Sequence, residues 1–197
     1  MVRIRIRNLL IVITVVLWLY PACAISTEWS PPETTTDWMK FTSGMATCIA
    51  VHELSHVLVA LESGYTIHHD GLSITYSPEI RSRANHLRIA SAGLQGQWIA
   101  SEAAFAAGGK EGNFTSGIIS GHLAITLAYI VVLRNHPEGD TVGIASASGL
   151  NVNQVVSLAV LPAILDAWRL FGNEVPRWVP VLSLALKGAE VSWVWTF

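Results

Sequence analysis

An apolar segment from Met45 to Leu61 carries at its middle the run His52-Glu53-Leu54-Ser55-His56. No other stretch limits the possible folds of this chain so strongly. Two imidazoles and a carboxylate placed together among apolar residues are strongly destabilising unless something compensates them. On a helix, residues four apart lie on one face about one turn from each other, so His52 and His56 project side by side. Two neutral imidazoles at that spacing can hold one tetrahedral zinc ion, and a metal is the simplest compensator. A merely solvent-facing motif would need an amphipathic helix. Instead Cys48, Ile49, Val51, Leu54, Val57, Leu58 and Val59 surround it on nearly all sides. Glu53 stands beside the first ligand and reaches the metal's open position. There a carboxylate can accept a proton from bound water and pass it to a leaving amine.

A catalytic zinc site takes three protein ligands. Two acidic residues in apolar surroundings compete for the third place. Glu102 follows Gly96-Gln97-Trp98-Ile99-Ala100-Ser101 in a helical segment and has no cation at i±3 or i±4. Asp166 lies in Leu161-Pro162-Ala163-Ile164-Leu165-Asp166, and Arg169 three residues on offers it a local partner. The expected metal set is therefore His52, His56 and Glu102, with Asp166 as the alternative. The remaining histidines read more plainly. His68-His69 is a solvated pair in a turn, and His86 opens a helix among charges. His122 interrupts an apolar helix, where an ionisable group is either functional or hydrogen-bonded. Gln95 and Gln97 line either a groove or a helix–helix contact.

The whole chain is greasy. Of its 197 residues 51% are hydrophobic and 13% charged, against about 25% charged in soluble domains. Disordered, collagen-like and coiled-coil chains are excluded. With 12 Lys+Arg against 14 Asp+Glu, no cationic excess exists to neutralise phosphates, which argues against nucleic acid as a partner. A membrane protein is expected. Residues 1–24 read as a signal peptide or, uncleaved, a signal anchor: Arg3, Arg5 and Arg7 precede an apolar run, and Ala22-Cys23-Ala24 offers a cleavage site. Cleavage would remove Cys23 and leave Cys48 without a disulfide partner, which fits a bacterial cell envelope better than a disulfide-stapled secreted domain.

Residues 25–43, with Ser30-Pro31-Pro32 and Thr34-Thr35-Thr36, read as a polar N-terminal arm, and 44–197 as one membrane-associated domain. The first apolar helix would open at Thr42 or Ser43 and close at Gly64. Leu72 to Tyr76 alternates as a short strand. A second helix is expected over 85–107, a loop over 108–112, and the best transmembrane candidate over 118–133. His136 to Asp140 reads as a polar turn, and 152–171 as an apolar helix kinked at Pro162. The tail 179–197 fits either a terminal hairpin or a last helix. The predicted fold is mainly α, a small helical membrane protein with about four apolar helices and a short β element.

His-Glu-Leu-Ser-His in an apolar helix, followed by Gly64 and a β segment, resembles the membrane-embedded zincin metallopeptidases. Ala92-Gly93-Leu94 falls where the site-2 protease branch has an Ala-Gly-Pro stretch. Leu165-Asp166 behind Pro162 is similar to its third-ligand motif, although Ala159 and Ala167 replace the Asn and Gly. Ser101-Glu102-Ala103-Ala104 is similar to the gluzincin pattern, in which a Glu on a following helix completes the site. The resemblance implies a zinc-dependent peptidase, with His52, His56 and Glu102 on the metal, Glu53 as general base, and a protein or peptide substrate at the bilayer. A non-catalytic membrane protein in which zinc fixes the fold or senses metal is the alternative.

Overall fold

The computed structural model describes residues 28–70 and 73–197, so the expected signal segment 1–24 lies outside the described residues. Six helices and one two-stranded sheet make up the described chain, in agreement with a mainly α fold. Helix α1 spans Thr35–Glu62, well ahead of the expected start at Thr42 or Ser43. Its cap explains the difference. The Thr34 side chain accepts from the Asp37 backbone N–H while the Asp37 carboxylate accepts from the Thr34 backbone, a reciprocal box that closes two orphan donors. Residues 35–43, expected in the polar arm, are the first turns of this helix. Gly64, at φ +84°, ends the segment, a conformation that a Cβ disfavours.

Strands β1 (Thr66–Asp70) and β2 (Ser73–Ser77) pair antiparallel with Thr66 opposite Ser77. Helix α2 (Arg83–Ala106) is capped by the Ser82 hydroxyl, and α3 covers Asn113–Val131. The expected polar turn at 136–140 ends in a short helix, α4 (Asp140–Ser148), closed by Gly149 at φ +84°. Helix α5 (Val152–Phe171) carries a second reciprocal cap, Asn151 with Gln154, and contains Pro162. The tail is a helix, α6 (Trp178–Thr196), and not a hairpin.

Helix α1 packs against α3 and α2, α4 lies on α2, and α5 and α6 pair and close the bundle against α3 and α2. Small residues set the α1–α3 distance. A Cβ on Gly117 would stand 2.1 Å from the Phe41 carbonyl oxygen, and one on Gly44 would stand 2.1 Å from that of Phe114. Such close backbone approach is how apolar helices associate without a hydrophobic driving force between them. Buried Leu87, Leu94, Trp98, Ile144, Val155 and Val194 join α2, α4, α5 and α6, while Cys48, Ile118 and Ile119 fill the α1–α3 side. Under the hairpin, Ala60, Tyr65 and Ile89 form a smaller cluster.

Among the described residues three helices, α1, α3 and α5, are long and apolar enough to cross a membrane. Their outer faces present large apolar side chains, among them Leu54, Leu58, Leu127, Val131, Leu161 and Ile164.

Candidate metal centre

His52 and His56 are both buried on the inner face of α1, at 3% and 8% exposure. Their Nε2 atoms stand 3.4 Å apart. One stripe of α2, at i, i+4 and i+8, closes over them. The Ile89 backbone carbonyl oxygen lies 2.7 Å from His56 Nδ1, and the Gln97 side-chain Oε1 lies 3.2 Å from His52 Nδ1. Between these two contacts sits Gly93. A Cβ there would fall 2.3 Å from His56 Nε2 and 2.5 Å from His52 Nε2, so the helix can cover the imidazoles only with glycine at this position.

The third group is Asp140, the first residue of α4. Its Oδ1 is 3.3 Å from His56 Nε2 and its Oδ2 is 3.3 Å from His52 Nε2. The ligand atoms of His52, His56 and Asp140 all lie within 4.8 Å of one another, and this is the one such group among the described residues. A carbonyl oxygen can only accept, so the hydrogen on His56 sits on Nδ1 and the Nε2 lone pair points inward. The same holds for His52 against Gln97 Oε1. The buried Asp140 carboxylate thus faces both rings at once, and the Tyr129 hydroxyl also interacts with it. Two ring nitrogens and a carboxylate therefore converge, an arrangement that either a shared cation or a second ring proton would satisfy. A metal cation held by all three would satisfy them together. Burial works to raise the Asp140 carboxyl, and the two imidazoles more than offset it, so the group lies below the usual carboxylate range.

Around this triad stand Tyr129 of α3, whose hydroxyl is 3.4 Å from His52 Nε2, and Glu53, exposed on α1. Tyr76 of β2 faces the same region: its phenol is pushed up by burial and then by the negative charges of Asp140 and Glu53. Hairpin, Glu53 and Asp140 thus share one end of the bundle.

Glu102 is placed elsewhere. Its Oε1 and Oε2 accept from Arg169 Nη1 and Nη2 at 2.6 and 3.1 Å, and Oε1 also accepts from Lys187 Nζ at 2.6 Å. Asp166, fully buried, belongs to the same cluster, 3.0 Å from Arg169 Nη1 and 2.5 Å from Lys187 Nζ. Ser101 and Ser183 complete its hydrogen bonds. Neither acid is placed with His52 and His56, where Asp140 stands instead. The compensating cations for Glu102 come from α5 and α6, 67 and 85 residues away in sequence. They lie far outside the reach of i±3 and i±4 neighbours on one helix. The local pairing of Asp166 with Arg169 is present as the sequence suggested. His122 lies beside this cluster, its Nε2 3.5 Å from Asp166 Oδ2, and neither ring nitrogen makes a hydrogen bond.

Asp140 escaped the sequence reading because it follows His136-Pro137-Glu138-Gly139, which looks solvated. The available signal was an acid opening an apolar stretch, Thr141-Val142-Gly143-Ile144-Ala145, directly behind a turn. No protein-family model, curated protein or solved structure matches the chain.

Proposed function

We propose that the protein is a membrane-embedded, zinc-dependent peptidase in which His52, His56 and Asp140 hold the metal and Glu53 is the general base. The observation that carries this reading is the convergence of two Nε2 nitrogens and one carboxylate, at distances of 3.3–3.4 Å. His52, His56 and Asp140 would hold the metal, which when bound would supply an activated water and polarise a carbonyl. Everything else is the work of the chain. The Ile89 carbonyl and the Gln97 amide orient the rings. Glu53, at the exposed edge of the site, takes a proton from the attacking water and returns it to the leaving amine. Tyr129 stands over His52, placing a phenol hydroxyl where it can hydrogen-bond to a carbonyl being attacked.

The apolar outer faces of α1, α3 and α5 support a bilayer location, and the buried position of the site fits a substrate segment that is itself membrane-associated. The expected signal segment, with export to a bacterial envelope, belongs to the same proposal. The test is Glu53→Gln in the full chain in lipid nanodiscs, with peptides released from added membranes read by mass spectrometry. The variant should retain one equivalent of zinc and release none of the peptides seen with wild type. Equal release by both proteins rules out the mechanism. A purely structural zinc site would show no exchangeable fourth ligand and no cleavage by the wild type.

A further inference from the structure

The two histidines are oriented by different devices. His56 leans on a backbone carbonyl, that of Ile89, which no side-chain substitution removes. His52 leans on a side chain, Gln97, which is fully buried. Gln97 is in turn held from a third helix: its Nε2 donates to Thr126 Oγ1 of α3 at 3.3 Å. An amide carries a donor end and an acceptor end, and the wrong end towards His52 would be damaging. With the N–H₂ end engaged by Thr126, the carbonyl end faces His52 Nδ1. That places the imidazole hydrogen on Nδ1 and leaves Nε2 as the electron-pair donor on the side of His56 and Asp140.

We infer that Gln97, hydrogen-bonded to Thr126, is the positioning residue that orients His52 and fixes its tautomer, and that it thereby tunes the affinity of the candidate metal centre. The inference rests on the metal reading above. It adds that the centre has one hard-wired ligand, His56, and one adjustable ligand, His52. Partners in this position are worth about 10- to 100-fold in metal affinity at known sites. A carboxylate in place of the amide needs no correct end and draws the Nδ1 hydrogen more strongly.

The experiment is zinc affinity by chelator competition on the full chain in nanodiscs, for wild type, Gln97→Leu, Gln97→Glu and Thr126→Val, with unfolding midpoints recorded with and without zinc. Gln97→Leu should bind zinc about 10- to 100-fold more weakly. Thr126→Val should weaken binding in the same direction by less. Gln97→Glu should match or exceed wild type and gain more in unfolding midpoint from zinc than wild type does, a rescue that a packing role would not give. If Gln97→Leu does not fold, the other two variants still decide. Wild-type affinity in Gln97→Leu, or an affinity in Gln97→Glu as weak as that of Leu, overturns this inference while leaving the centre standing. Absence of zinc binding by the wild type removes both.

Discussion

Exchanging one acid for its amide separates the two acidic clusters experimentally. In Asp140→Asn the shape is kept and the charge is lost from a group standing 3.3 Å from each ligand nitrogen. Loss of a partner that merely orients a ligand costs about 10- to 100-fold in affinity. Loss of a ligand itself should cost at least about 100-fold, equal to about 2.7 kcal/mol. Glu102→Gln does something different. It leaves Arg169 and Lys187 short of one carboxylate in a cluster whose cation side chains are 4% exposed. Breaking a buried pair from one side costs about 3–5 kcal/mol. Asp166 still serves both cations, so about 3 kcal/mol is expected, a drop of roughly 6–12 °C in the unfolding midpoint. Titration of zinc and a thermal melt on each variant give a crossed pattern: Asp140→Asn loses metal, and Glu102→Gln loses stability but keeps metal. The reverse pattern, zinc lost with Glu102 and retained without the Asp140 charge, would refute the assignment.

Further outcomes follow from single contacts. Gly93→Ala puts a Cβ within 2.3–2.5 Å of both imidazoles, so zinc affinity should fall at least about tenfold, with about 1–3 kcal/mol of overpacking in a melt. His122→Phe removes two buried nitrogens that lack hydrogen bonds, and the unfolding midpoint should rise, since unsatisfied buried groups cost about 1–3 kcal/mol each. A fall would show that His122 supports Asp166. In metal-free protein, Asp140 lies below the usual carboxylate range. Its contribution is therefore present above the ordinary Asp value of about 3.9 and lost as pH falls through the lower folded value. Acid melts of wild type should steepen there, and those of Asp140→Asn should not.

How far the residues announced this arrangement differs from element to element. The His52–His56 pair was legible because helical spacing and an apolar context are both local facts. So were a short strand around Tyr76 and helices close to 85–107 and 152–171, whose periodicity lies within a few residues. The third group was not legible, because Asp140 acquires its neighbours only when α4 folds back on α2. Glu102 misled for the same physical reason in reverse: its isolation in sequence concealed Arg169 and Lys187, supplied by tertiary packing. The tail 179–197 fitted either a hairpin or a last helix, and α6 decides for the helix, with Val194 inward and Trp195 outward. Gly93 could be read as a helix-weakening residue. That it is the gap through which α2 covers two imidazoles is visible only once both helices are in place.

The claim on which the account depends is that His52, His56 and Asp140 share one ion. Zinc-edge X-ray absorption on the full chain, purified in mild detergent with its metal content measured, tests it most directly. One zinc per chain with two imidazole nitrogens and oxygen neighbours at about 2.0–2.2 Å, lost in His56→Ala and Asp140→Ala but kept in Glu102→Gln, is the expected result. A well-folded protein that takes up no stoichiometric zinc, or that binds it equally well without Asp140, would contradict the account.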